Sequence, residues 1–127
     1  MSLSILAVDD EPATLKMLRL ILKLKRPDWT FHTAENGPEA LAIAAANALD
    51  FVLLDISMPG MDGLEVCEKM RALPQLARTP IVIFTALDTP DRRDKALAVG
   101  ATGFWPKTFQ AAEFVPEIEK LVADAKG

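Results

Sequence analysis

Five short apolar runs alternate with five segments of helical spacing along this chain, and that alternation limits its fold more than any other feature. The runs are Leu3 to Val8, Thr30 to Ala34, Phe51 to Leu54, Ile81 to Phe84 and Gly103 to Trp105. Most are rich in Val, Ile, Leu and Phe and lack strict polar alternation, which suits strands covered on both faces. Between and after them, Pro12 to Lys25, Pro38 to Asn47, Gly63 to Ala72, Pro90 to Val99 and Ala111 to Ala125 carry apolar residues at helical intervals. A βα unit repeated five times predicts an α/β doubly wound sandwich: a parallel sheet with helices on both faces, wound by right-handed crossovers.

Local signals agree with these boundaries. Pro12, Pro38 and Pro90 stand where a first-turn proline costs no hydrogen bond, each after polar or glycine residues suited to capping. Gly100 and Gly103 bracket the end of the fourth helix and the entry to the fifth strand. Pro106 cannot donate to a ladder, so the fifth strand is expected at a sheet edge. The first helix carries Leu15, Met17, Leu18, Leu20, Ile21, Leu22 and Leu24, more than one apolar stripe. Either a partner covers part of it, or these are scattered exposed leucines of the ordinary kind.

At 127 residues, half of them apolar, the chain is expected to form one domain, residues 1–127, that buries roughly 65 to 70% of its unfolded surface. Its 14 Lys and Arg against 18 Asp and Glu, a net charge of -4, lack the positive field that binding to phosphate backbones needs, so no direct nucleic-acid binding is expected. The single cysteine, Cys67, excludes an internal disulfide framework and a thiolate cluster, and reads as a packed small hydrophobe. No run reaches the ~18 apolar residues of a membrane span, and no basic-then-apolar leader opens the chain, so a cytoplasmic protein without membrane contact is expected.

In an open parallel sheet, ligands bind beyond the carboxyl ends of the strands, where crossovers diverge. The first strand ends in Asp9, Asp10 and Glu11, the third in Asp55, the fourth in Thr85, and the fifth leads to Lys107. Gathered carboxylates repel one another unless a cation compensates, and hard oxygen ligands of this kind suit Mg²⁺ together with phosphate oxygens. Lys107 would neutralise anionic oxygens and Thr85 would donate a hydrogen bond. Each residue also has a plainer reading taken singly. Asp9 and Asp10 can cap the helix at Pro12, Asp55 can open the turn at Met58-Pro59-Gly60, and Lys107 can be a solvated loop residue. What weakens those readings is that four separate strand ends supply the same chemistry. Asp62 and Gly63 read as turn and helix-start residues, and His32, with no second His, Ser or Cys near it, reads as structural.

The motifs as a set resemble the receiver domain of two-component response regulators. They are Val8-Asp9-Asp10-Glu11, Ala34-Glu35-Asn36-Gly37 with Glu39-Ala40-Leu41, the run Leu54 to Gly63, Pro80 to Ala86, and Gly100 to Lys107. The resemblance spans the whole chain and implies a flavodoxin-like (βα)5 sandwich of strand order 2-1-3-4-5. It implies Asp55 as phosphoacceptor, Asp10 as direct Mg²⁺ ligand, Asp9 as ligand through water, and the Ser57 carbonyl as a further ligand. Thr85 would be the switch hydroxyl, Lys107 the phosphate partner and Phe104 the aromatic that changes position. Implied partners are a histidine kinase or histidine phosphotransfer protein and a downstream protein or output domain, with room for a phosphorylation-dependent homodimer. The protein would be a phosphoacceptor switch with at most slow self-dephosphorylation.

The chain departs from that pattern in three places. Most receivers follow the lysine with proline, often through a cis bond, whereas Thr108 follows Lys107 here; a cis bond before a non-proline residue costs ~2.5 to 4 kcal/mol. A displaced Lys107 and slower phosphorylation are therefore expected. Trp105-Pro106 replaces the usual aliphatic residues, with Trp105 expected to fill core space in preference to anchoring a partner. Leu87 is apolar where many relatives carry polar groups; with Ser57 it would tune how water reaches the phosphoryl group.

Other classes fit less well. A hydrolase of the aspartyl-phosphate type normally places a second carboxylate two residues after the nucleophile, where Ser57 stands. A flavin carrier would need a hydroxyl- and glycine-rich loop after the first strand, where Asp9-Asp10-Glu11 repels phosphate. A phosphorylation-independent adaptor is favoured only by Thr108. No output or kinase domain is visible after the fifth helical segment, which suits a stand-alone regulator or a piece of a longer protein.

Overall fold

A computed structural model describes residues 2–58, 60, 62–86 and 89–126. Of the residues singled out above, Pro59, Met61 and Leu87 lie outside them. The elements run β1 (Ser4–Val8), α1 (Pro12–Lys25), β2 (Thr30–Ala34), α2 (Gly37–Ala46), β3 (Phe51–Leu54), α3 (Gly63–Arg71), β4 (Ile81–Thr85), α4 (Pro90–Ala98), β5 (Gly103–Pro106) and α5 (Ala111–Lys126). All expected elements form, with ends shifted by a residue or so. A one-turn 3₁₀ helix at Pro74–Leu76, opened by Pro74, was not foreseen.

The five strands are parallel in the order β2-β1-β3-β4-β5. Pro106 therefore sits on an edge strand, where its missing donor is harmless. Alternating side chains divide each strand between two cores. Leu6 and Val8, Val52 and Leu54, and Ile81 and Ile83 face α2, α3 and α4 through Ala40, Ala44, Val66, Cys67, Met70 and Ala96. Ile5 and Ala7, Phe51 and Leu53, and Val82 and Phe84 face α1 and α5 through Leu15, Leu18, Leu22, Phe114, Val115, Ile118 and Val122. Burial on both faces is why these runs show no polar alternation.

Local chemistry starts the helices. Asn36 Oδ1 accepts from the Glu39 N–H at 2.8 Å, Asp62 Oδ1 from Glu65 N–H at 3.0 Å, and Thr89 Oγ1 from Arg92 N–H at 3.3 Å, each satisfying an orphan first-turn donor. On α1, Leu15, Leu18 and Leu22 are buried, while Met17, Leu20 and Leu24 face solvent, Leu24 being 74% exposed. Among the described residues, nothing covers that second stripe. Trp105 takes the core role expected of it: it is buried, stacked on Phe109 and Phe51 and meeting Phe114 edge-on. Cys67 is likewise buried, its thiol 3.8 Å from the Val99 carbonyl and pushed up by burial to about 11.

Candidate functional site

The crevice lies between β1 and β3, whose following helices pack on opposite faces of the sheet. The register pairs Val8 with Leu54, and ladder bonding continues one residue further: Asp55 N–H donates to Val8 O at 2.9 Å and Asp9 N–H to Ala34 O at 3.0 Å. Asp9 and Asp55 are thereby set side by side at the strand ends. Carboxylate oxygens of Asp9, Asp10 and Asp55 all lie within 4.8 Å of one another. Asp9 and Asp55 are buried, with side chains 3% and 4% exposed, and Asp10 stands nearer solvent.

Lys107 closes the cluster. Its Nζ donates to Asp9 Oδ2 at 2.7 Å, Asp55 Oδ2 at 3.2 Å and Glu11 Oε1 at 3.3 Å. The remaining carboxylate oxygens are aimed by the backbone, with Glu11 N–H donating to Asp9 Oδ1 at 2.9 Å and Ser57 N–H to Asp55 Oδ1 at 3.0 Å. These bonds answer the capping alternative: the N-cap of α1 is Glu11, without a side-chain cap bond, and Asp9 turns into the crevice instead. Burial pushes the Asp9 carboxyl up, offset in part by hydrogen bonds from Lys107 and the Glu11 N–H, with repulsion from Asp55 adding to the rise. Burial works against the Lys107 charge, but its bond to Asp9 and the attraction of Asp55 and Asp9 outweigh that, and its pKa rises. The ammonium is therefore charged at neutral pH. Three clustered carboxylates with hard oxygen donors suit a divalent cation such as Mg²⁺.

The Lys107–Thr108 bond is trans, as are all described peptide bonds. The expected displacement of Lys107 is not found, because the lysine reaches both buried aspartates without a proline behind it. Its backbone is tied to the neighbouring strand, Lys107 N–H donating to Thr85 O at 3.0 Å. Thr85 is fully buried at the end of β4. By strand alternation it projects on the same face as Ile83, the face against which Phe104 packs. Phe104 is partly buried, with the Arg93 guanidinium carbon 5.4 Å from its ring centroid. His32 lies away from the cluster on edge strand β2, in register with Leu6.

Two contributors carried weaker signals. Gly63 opens α3 so close to the acceptor loop that a Cβ there would stand 2.2 Å from Asp55 O and 2.4 Å from Ile56 Cα; Asp62-Gly63 was legible only as a helix start. Phe109, two residues past Lys107, stacks on Trp105 and was not singled out from the sequence.

The family model of the response regulator receiver domain matches residues 5–119. The chain belongs to the response regulator receiver family. It is 43% identical over 121 residues to response regulator PleD of Caulobacter vibrioides, covering 95% of this chain and 26% of that protein. It is 36% identical over 126 residues to response regulator MprA of Mycobacterium ulcerans, covering 99% of this chain and 53% of that protein. The receiver thus spans about a quarter to a half of these relatives. Its fold matches that of chemotaxis protein CheY4 of Vibrio cholerae with a TM-score of 0.87 at 30% identity, over 95% of this chain and 99% of that one. A receiver domain of this family is a signalling switch of two-component systems, and here Asp9, Asp10 and Asp55 form an acidic cluster that could hold a metal ion.

Proposed function

We propose that residues 1–127 act as one phosphoacceptor domain, taking a phosphoryl group onto Asp55 from the phosphohistidine of a sensor kinase or histidine phosphotransfer protein. The observation that carries this reading is the Lys107 ammonium, held between buried Asp9 and Asp55 at 2.7 and 3.2 Å. A cation so placed can transfer its hydrogen bonds to a phosphoryl group as that group arrives.

Asp10 and Asp55 would hold Mg²⁺ directly, with Asp9 acting through water and Ser57 through its carbonyl. Bound there, the ion would supply positive charge to the equatorial oxygens of the group being transferred. Asp55 presents a carboxylate oxygen in line with phosphorus. As the P–O bond forms, the P–N bond breaks and its electron pair leaves on the histidine nitrogen. The Ser57 N–H holds the other Asp55 oxygen, and Lys107 bonds the transferred group. The product carries a charge near -2, a new anion for the Thr85 hydroxyl and Lys107. Drawing Thr85 toward it moves the loop between β4 and α4, and Phe104 on the same face follows, reshaping the surface of α4, β5 and α5 for a downstream protein, an output domain or a second copy. Going from 1% to 99% active takes ~5.5 kcal/mol of differential interaction, within reach of a few charge-assisted bonds in a partly dry site. Return is by slow hydrolysis without a built-in general acid, since Ser57 stands where a hydrolase keeps one. We place the exchange in the cytoplasm, the usual setting for an unpaired thiol such as Cys67.

Incubation with acetyl phosphate, with and without Mg²⁺, tests the reading by intact mass. The expected result is a metal-dependent gain of one phosphoryl group that Asp55→Asn abolishes. An unchanged mass in the native chain under both conditions would sink it and leave the phosphorylation-independent adaptor.

A further inference from the structure

Lys107 sits in a four-residue turn that the Phe109 N–H closes by donating to Pro106 O at 2.9 Å. No described residue other than glycine has a positive φ, which excludes types II, I′ and II′ and leaves a type I turn with Lys107 in the right-handed helical region. Neither Lys107 nor Thr108 has a ring to fix φ, so the pair by itself samples other conformations freely. The flanks of the turn supply what the pair lacks. Trp105, just before it, and Phe109, at its end, lie with ring centroids 4.5 Å apart and planes 11° from parallel. Trp105 also rests on Phe51 of β3, and Phe109 meets Phe114 of α5 edge-on at 5.4 Å, so the stack is anchored to the sheet and to the last helix.

We propose that Phe109 is a positioning residue: by stacking on Trp105 it holds the trans turn that aims the Lys107 ammonium between Asp9 and Asp55. The inference deepens the reading of Lys107 as the phosphoryl partner and rests on it. Among the described residues, Phe109 makes its ring contacts with Trp105 and Phe114. It acts through the backbone of residues 106–109, and a misplacement of about 1 Å at a positioned group can cost up to 10²-fold in rate.

Phe109→Leu keeps apolar volume but loses the ring face, and Phe109→Tyr keeps the ring. For both variants and the native chain, the initial rate of phosphoryl gain from acetyl phosphate with Mg²⁺ is measured beside amide hydrogen exchange at Lys107 and, as a control, Thr102. The expected result for Phe109→Leu is a rate lower by about tenfold, with Lys107 protection lost by a similar factor and Thr102 protection kept. Phe109→Tyr is expected to stay within twofold of the native chain in both. Unchanged Lys107 protection in Phe109→Leu, a rate within twofold of native, or protection falling equally at Thr102 would each overturn the proposal. If the native chain takes up no phosphoryl group, the functional reading fails, while the exchange data still decide whether Phe109 holds the turn.

Discussion

Lys107 Nζ lies 3.2 Å from Asp55 Oδ2, although 52 positions of sequence separate them and Thr108, not proline, follows the lysine. The contact joins the ends of β3 and β5, two strands with β4 between them.

Replacing Lys107 with alanine tests this contact from two sides. Phosphoryl uptake from acetyl phosphate is expected to fall by about 10²-fold, the usual cost of losing one preorganised charge partner. Metal-free Lys107→Ala should also be less stable by about 3 kcal/mol, because Asp9 and Asp55 stay buried without their cation. Added Mg²⁺ should therefore raise the melting temperature more in the variant than in the native chain. Equal rises would mean that the ammonium and the metal ion do not compensate the same carboxylates.

Thr108→Pro is expected to slow phosphoryl uptake instead of speeding it. Proline disfavours the right-handed helical region for the residue before it, which is where the type I turn holds Lys107. The placement of Lys107 accordingly offers no reason for the slower phosphorylation expected from the missing proline. Faster uptake by the variant, measured by intact mass over time, would count against this view of the loop.

Gly63→Ala sets a methyl group 2.2 Å from a backbone oxygen, Asp55 O, which has no flexible end to swing aside. A loss of about 2 kcal/mol or more in urea unfolding is expected, together with slower phosphorylation as the acceptor loop shifts. Native-like stability would show that α3 can retreat without cost.

The Cys67 thiol, with a pKa moved from 9.0 to about 11 by burial, makes stability fall at alkaline pH. The unfolded chain ionises first, so the contribution is fully present below pH 9.0 and is lost as pH rises through about 11. Lys107, also raised, adds a loss of the same sign above its ordinary value of 10.5. Cys67→Ala should flatten the Cys67 part of the decline by roughly 2 kcal/mol, read from urea melts across that range. A decline identical in both chains would mean that the thiol ionises over the same pH range in the folded and the unfolded chain.

Strand and helix positions were legible because periodicity and turn chemistry are local, and the carboxylates at the ends of β1 and β3 were legible because parallel strands deliver their carboxyl ends to one rim. The structure adds contacts between residues that no local pattern relates. Arg71 looks like any basic residue in a last helical turn, yet its guanidinium donates to Gly100 O, Leu76 O, Thr79 O and Thr102 Oγ1. Gly100, at φ +102, leaves room for it, since a Cβ there would stand 2.7 Å from Arg71 Cγ. Glu11 was read as one more acid at a strand end, and only folding makes it a third partner of Lys107.

Composition and patterning alone determined that this chain winds into five βα units and collects its acids at one end of a sheet, since both follow from chain direction and hydrophobic period. Where the lysine ammonium rests was decided by tertiary structure. That position depends on a turn closed between Pro106 and Phe109, on rings stacked across it and on a backbone bond to Thr85, and each joins groups that only the packed molecule brings into contact.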